Sequence, residues 1–463
     1  MLPDDVLIAI FLAILDEYRD KLGEEEMVAL MKAWQTLVHV CRRWRSVVFG
    51  SPRHLNLQLI CTHRTPASDT LVVWPALPLV ICCHGYSIQS VDNIVAVLER
   101  SNRVHHIDLD GISRLHLETI LAAMKVPFPE LTNLNLTLWL DTSDDTVQVL
   151  PDSFLGGSAP RLQTLHFRGI PFPGLPNLLL SATHLVNLFL YGIPRSGYIS
   201  PEAMVTALST LTSLDTLYLH FQSPQSFPVM ASRGPPPPKP FVLPVLTEFQ
   251  FKGVSEYLDD LMARIEAPQL FTLYIRFFNQ TLFGSPPLVR FISRIPGLKA
   301  PEEVHLIFGF IDIITIIRLK SRTSNFEMEI SCSRLDQVSS LQQVCTSRLL
   351  PLSVENLYIY GTSFDGPYRP DNVENSLWLE LLQRFTTVEN LYLREQFARR
   401  IGPALQDLVG GGMSEVLPAL RNIFVDGLQT SGPVHEGIQQ FVAARQASNS
   451  IAVSRWDRDT RIF

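Results

Sequence analysis

Charged side chains are scarce in this chain. Asp, Glu, Lys and Arg make up 18% of its 463 residues, against 46% hydrophobic. That balance excludes a disordered polymer and leaves ample apolar surface for a large core. The charge present sums to −7, with a pI near 6.0. The molecule as a whole therefore gives no electrostatic reason to expect nucleic acid as a partner. Cysteine is sparse as well. Cys41, Cys61, Cys82, Cys83, Cys332 and Cys345 have neither metal-ligand spacing nor the density of a disulfide scaffold, which fits a reducing compartment. Spanning apolar runs are missing: Val6 to Leu15 is unbroken but too short to cross a bilayer. Asp4 and Asp5 precede it where a signal peptide would carry basic residues. There is no P-loop, no Gly-x-Ser-x-Gly elbow and no His-Glu-x-x-His. His105 and His106 are neighbours on one expected strand, so they point to opposite faces and do not chelate one ion. These absences predict a soluble cytoplasmic or nuclear protein that is not an enzyme. They predict no catalytic residues, metal or cofactor, and no membrane or nucleic acid partner.

What is present begins at the N-terminus. Leu2-Pro3-Asp4-Asp5 suits a helix start, because proline fits the first turn and aspartates favour the positive end of the helix dipole. Val6, Leu7, Ile10, Phe11, Ile14 and Leu15 then cover nearly every side of that helix, which calls for two partners. Residues 16 to 26 are highly charged and read as a loop or helix end. A second helical stretch runs from about Met27 to Val48, and Gly50-Ser51-Pro52 stops it.

Further along, apolar residues recur at offsets 0, 3 and 5. Copies include Val104, Ile107, Leu109; Leu131, Leu134, Leu136; Leu162, Leu165, Phe167; Leu185, Leu188, Leu190; and Leu214, Leu217, Leu219. Others are Leu246, Phe249, Phe251; Leu270, Leu273, Ile275; Val354, Leu357, Ile359; Val388, Leu391, Leu393; and Leu420, Ile423, Val425. Leu77, Val80 and Cys82 suggest an earlier copy, and Val304 with Ile307 a degenerate one. Glycine falls at offset 7 as Gly111, Gly169, Gly192, Gly253, Gly361 and Gly427, although the chain has only 24 glycines. A shared offset of that kind marks a repeat rather than chance. Each copy reads as a strand, a turn and a helical or irregular return, with helices expected near Pro201 to Leu208, Val254 to Ile265, Asn375 to Phe385 and Pro403 to Val409. Gly234-Pro235-Pro236-Pro237-Pro238 reads as an exposed polyproline loop. Residues 296 to 350 are strand-rich but break the spacing. Ile438 to Ala444 reads as a helix, and Ile451 to Trp456 as a last strand.

Two resemblances rest on these residues. Leu2-Pro3, Val6-Leu7, Ile10-Phe11 and then Leu37 to Arg45, with Val40-Cys41-Arg42-Arg43-Trp44 at its centre, resemble the F-box family. The repeats resemble the leucine-rich family in strand pattern, without its closing Asn or Cys. The combination is similar to the F-box proteins that abound in mushroom-forming fungi. The resemblance implies an α/β protein: a helical F-box bundle over 1–52, then a leucine-rich-repeat-like curved solenoid with a parallel sheet over 53–463. It further implies docking on the Skp adaptor, and through it on a cullin-RING ubiquitin ligase, by Leu2, Pro3, Val6, Leu7, Ile10, Phe11, Val40, Cys41 and Trp44. The repeat domain would then bind an unknown protein substrate. The alternatives are a scaffold outside the ligase and a plain repeat-type interaction module whose N-terminal helices cap the repeats.

By strand alternation, offsets 3 and 5 point inward and offsets 4 and 6 outward. The outward residues are large: Phe189, Tyr191, Tyr218, His220, Tyr274, Arg276, Tyr358, Tyr360, Tyr392 and Arg394. Tyrosine and arginine dominate binding hot spots, which makes these the candidate substrate contacts. Aromatics on a strand also pack across to the next strand, and that bland reading competes with the first.

Overall fold

The computed structural model describes residues 2–19, 24–64, 66–83, 91–139, 149–227, 239–278, 286–298, 301–309, 314–322, 324–332, 336–346, 353–361, 374–407, 416–427, 433–445 and 451–456. The polyproline stretch Gly234 to Pro238 lies outside them. The chain divides into two compact units, Met1–Ala231 and Ser232–Phe463. Both are mixed α/β, with mostly parallel strands and return segments between them.

The first unit opens with three helices, α1 (Asp4–Arg19), α2 (Glu24–Val40) and α3 (Arg42–Gly50). The expected single helix over Met27 to Val48 is broken at Cys41. That residue is extended (φ −159°, ψ 167°), and its Sγ caps α3 by accepting the Trp44 N–H at 3.4 Å. The charged segment is more helical than its composition suggested, with α1 running to Arg19 and α2 starting at Glu24.

Seven strands follow, each parallel to the next in chain order: β1 (Leu59–Cys61), β2 (Leu79–Cys83), β3 (Val104–Ile112), β4 (Asn133–Leu138), β5 (Thr164–Arg168), β6 (Asn187–Ile193) and β7 (Thr216–Phe221). Leu134, Leu165, Leu188 and Leu217 lie side by side in register and are buried. The repeat is also visible in the backbone. The offset-0 N–H bonds back three residues, as in Leu131 to Phe128, Leu162 to Ala159 and Leu185 to Ala182. The offset-1 carbonyl takes two N–H groups of the next copy: Gln163 and Thr164 both donate to the Thr132 oxygen, and Val186 and Asn187 both donate to that of Gln163. Gly111 and Gly192 adopt left-handed φ of 74° and 61°, and the ladder slips there. That bulge lets Ile112 and Ile193 turn inward, out of the strict alternation, and both are buried.

The second unit contains β8 (Phe241–Val242), β9 (Glu248–Gly253), β10 (Ile265–Glu266), β11 (Thr272–Phe277), β12 (Glu303–Phe308), β13 (Ile314–Lys320), β14 (Asn325–Ser331), β15 (Asn356–Gly361), β16 (Asn390–Arg394), β17 (Asn422–Asp426) and β18 (Ala452–Arg455). Strands β8 and β10 pair with each other; the rest are ordered β9-β11-β14-β13-β12-β15-β16-β17-β18. The segment that broke the spacing is a local reversal. β13 runs antiparallel to both β12 and β14, while β14 is parallel to β11 and β12 to β15. Beyond it the repeat resumes, with β15 to β18 parallel in chain order.

Two copies sit in a different register from the one expected. In β2 the inward residues aligned with Ile107 and Leu109 are Ile81 and Cys83, and Val80 and Cys82 point outward. In β12, Val304 and Leu306 align with Leu357 and Ile359, and Ile307 points outward. Both strands are buried on both faces, which erases the alternation that register reading depends on. Helix Pro201–Leu208 has the expected bounds, started by Pro201 and by Ser200 accepting the Ala203 N–H at 3.2 Å. Helix Glu395–Gln406 begins eight residues earlier than Pro403 suggested, directly after β16, and holds that proline inside. The tail has its expected helix, Pro433–Arg445, and last strand, β18.

Candidate protein-interaction surfaces

Helix α1 carries two apolar stripes. Leu7, Phe11 and Leu15, each four residues apart, are buried, and Phe11 meets Trp44 edge-on at 4.8 Å. Around the helix, Val6, Ile10 and Ile14 remain 37–40% exposed, with Leu2 at 52% and Val40 at 55%. Arg43 donates to the Leu2 carbonyl and to Asp4 Oδ1. This ties the start of α3 to the start of α1 and brings the Val40-Cys41 corner toward Leu2-Pro3. Of the expected adaptor contacts, Leu2, Pro3, Val6, Ile10, Val40 and Cys41 are exposed and Trp44 is half-buried. Leu7 and Phe11 are enclosed, so they shape this surface from behind instead of forming it.

Helix α2 has a different task. Its Met31 covers Ile60, Val80 and Cys82 on the outward side of β1 and β2. Trp34 is buried beside Trp74 at 5.1 Å, and its indole N–H donates to the Gln58 carbonyl at 3.2 Å. The bundle therefore closes the first strands with α2 while the exposed stripe of α1 faces solvent.

The outward face of the first unit brings four of the expected substrate contacts together. Phe189 and Tyr218 are register partners with ring centroids 4.8 Å apart, nearly perpendicular. Tyr191 lies 5.7 Å from Tyr218 and 4.9 Å from His220, also edge-on. All four are half-buried. The structure adds a residue that the sequence analysis passed over: His166, in register with Phe189, lies 5.7 Å from it and 5.2 Å from Tyr191. Its offset of 4 from Leu162 was the available signal. Burial holds its imidazole below the usual histidine range, against the pull of Asp108 and Asp110. Asp108 continues the row through Asn135, whose Nδ2 donates to Asp108 Oδ1 at 2.7 Å. Thr137 in turn donates to Asn135 Oδ1 at 3.1 Å.

The outward face of the second unit is engaged with itself. His305, Tyr358, Tyr392 and Phe424 form a stack across β12, β15, β16 and β17, with centroids 4.3–4.6 Å apart and planes within 7–11° of parallel. Trp456 lies 6.0 Å from Tyr358 and 5.6 Å from Tyr392. Tyr358, expected to be open, is 6% exposed. His305 Nε2–H donates to Glu303 at 3.1 Å, and the Tyr360 hydroxyl donates to His305 Nδ1 at 3.3 Å. Tyr274 donates to Glu329, and Arg276 pairs with the same carboxylate at 2.8 Å. Arg394 donates to the Gly361 carbonyl at 2.9 Å. Burial raises the Glu329 carboxyl, against the opposing pull of Tyr274 and Arg276. His305 and Phe424 were missed for different reasons. Phe424 sits at a readable offset 4 from Leu420, whereas His305 lies in the segment with no readable register.

Among the described residues, no group of three His, Cys, Asp or Glu side chains is arranged to hold a metal ion. No described helix is long and apolar enough to cross a membrane. No family model matches the chain. No curated protein matches it. Among solved structures, it is similar to the leucine-rich repeat-containing protein LegL7 from Legionella pneumophila, at 13% identity and a TM-score of 0.28, covering 83% of this chain and 97% of that one.

Proposed function

We propose that the chain is the substrate-recognition subunit of a cullin-RING ubiquitin ligase. Its N-terminal helices dock on a Skp-type adaptor, and its strand repeats hold a protein substrate. The observation that carries this reading is the exposed apolar stripe of Val6, Ile10 and Ile14 on α1, whose other side is already packed, with Leu2 just before that helix and Val40 at the end of α2 also exposed. Exposed contiguous apolar surface marks an interaction site. The F-box resemblance over Leu2 to Phe11 and Leu37 to Arg45 names the kind of partner. The packing of α2 on β1 and β2 fits a capping helix, as repeat proteins require at their ends. That role occupies Met31 and Trp34 and leaves the α1 stripe uncovered, so capping does not account for the stripe.

The test is co-purification of the full chain with the Skp adaptor, wild type against Val6→Glu/Ile10→Glu. Two carboxylates on the exposed stripe should weaken adaptor binding by at least about tenfold while circular dichroism stays unchanged. Equal binding by the variant, or none by the wild type, removes the ligase reading. Point changes serve better than deleting the first fifty residues, because deletion would also strip Met31 from Ile60, Val80 and Cys82.

A further inference from the structure

The outward row of the first unit changes character along its length. It runs in register from Asp108 on β3 through Asn135 on β4 and His166 on β5 to Phe189 on β6 and Tyr218 on β7. Asp110 lies two residues beyond Asp108 on the same strand and acts on the same imidazole. One end of the row is thus acidic and the other aromatic, with a neutral histidine between. The outward positions of β3 to β7 hold no lysine, and their one arginine, Arg168, is exposed at the end of β5. Asn135 fixes the Asp108 carboxylate, so this end is preorganised.

We infer that this face recognises an extended protein segment bearing an arginine or lysine over Asp108 and Asp110 and a large apolar side chain over Phe189, Tyr191 and Tyr218. The inference rests on the substrate half of the proposed function and not on the adaptor half. Charge complementarity selects the basic residue, and the half-buried aromatic rings select the apolar one. The spacing follows from the sheet. Three strand steps separate β3 from β6, roughly 14 Å at about 4.8 Å each, and an extended segment covers that in about four residues at about 3.3 Å each. Residues i and i+4 of an extended segment also share a face.

The experiment is selection of a random displayed peptide library on the full-length protein. Enriched peptides should carry Arg or Lys four residues from a large apolar residue. The isosteric variant Asp108→Asn/Asp110→Asn should bind them about tenfold more weakly, as should Tyr218→Ala. With citrulline or norleucine replacing the basic residue, wild type and Asp108→Asn/Asp110→Asn should bind equally. The inference is overturned if no peptide is enriched, if the enriched peptides lack a basic residue, or if the Asp108→Asn/Asp110→Asn change has no effect. Peptides that respond to Tyr392→Ala and not to Tyr218→Ala would overturn it while leaving protein binding by the repeats intact. The adaptor experiment reads the other half independently.

Discussion

The two outward faces use the same residue types at the same repeat offsets and pack them differently. In the second unit, rings at offset 4 face one another on consecutive strands, so Tyr358, Tyr392 and Phe424 stack nearly parallel, with His305 extending the column. In the first unit the offset-4 rings His166, Phe189 and Tyr218 also sit on consecutive strands, but they meet edge-on, at 64° and 75°. Tyr191 and His220 come from the next row: Tyr191 meets Tyr218 edge-on at 5.7 Å but lies nearly parallel to Phe189 at 6.4 Å, and His220 lies nearly parallel to Tyr218 at 5.9 Å, so these parallel pairs are more widely spaced than those of the column. The ionic groups follow suit: Arg276, Arg394 and Glu329 are tied to partners on neighbouring strands. Aromatic content alone thus does not fix how a strand face packs. What differs is how the offset-4 rings meet, edge-on in the first unit and stacked in the second.

Deleting one ring from each face should give the largest difference between them. Tyr358 is buried between His305 and Tyr392, so Tyr358→Ala should lower the local opening free energy of β15 and β16 by roughly 3 kcal/mol. Tyr191→Ala removes a half-buried ring and should cost β6 no more than about 1 kcal/mol. Peptide-resolved hydrogen exchange reads both. Similar losses would mean that the first face is structural as well.

Much of this was legible in the sequence, and the failures have physical causes. The strand copies from Val104 to Leu219 and from Val354 to Val425 fall where the offsets put them, because one face of each strand is fully apolar and the other is mixed. The reading failed at β2 and β12, where both faces are buried and alternation vanishes. It could not foresee the antiparallel β13, since strand direction leaves no mark in hydrophobic spacing. Along α1 the apolar residues were evident, but not which stripe the bundle would claim; Phe11 went inside and Ile10 stayed out. The split of the outward aromatics into an edge-on cluster and a parallel stack depends on ring geometry, and Trp456 joins the stack from the far end of the chain.

A smaller contrast lies at offset 2. In the second unit Asn390 Nδ2 donates to Asn356 Oδ1 at 2.9 Å, and Asn422 Nδ2 donates to Asn390 Oδ1 at 2.8 Å, an amide ladder across three parallel strands. In the first unit Asn187 Nδ2 donates to Thr164 Oγ1 at 3.3 Å. Asn390→Ala removes two bonds and should destabilise β16 by about 1–2 kcal/mol, whereas Asn187→Ala should cost β6 about half as much. Equal costs in hydrogen exchange would show that the ladder adds nothing beyond its separate bonds.

The finest distinction is a pH dependence. Burial lowers the pKa of both His305 and His166 from the ordinary 6.5, so each is neutral in the fold. As pH falls through that value the unfolded chain takes up protons that these two side chains do not, so each contributes a loss of stability toward acid. Glu329 works the other way: its raised pKa favours the protonated form in the fold, and its contribution grows as the carboxylate range is approached from above. The histidine effect therefore belongs to the window from about pH 7 to about 5.5, above the carboxylates. His305→Phe keeps a ring in the stack and removes the titration, so it should flatten the acid-side loss in β12 and β15 peptides and leave that of β5 unchanged. His166→Phe should do the reverse. If either substitution flattened both regions, the two faces would be coupled, and the contrast between an edge-on cluster and a parallel stack would no longer be a property of each face alone.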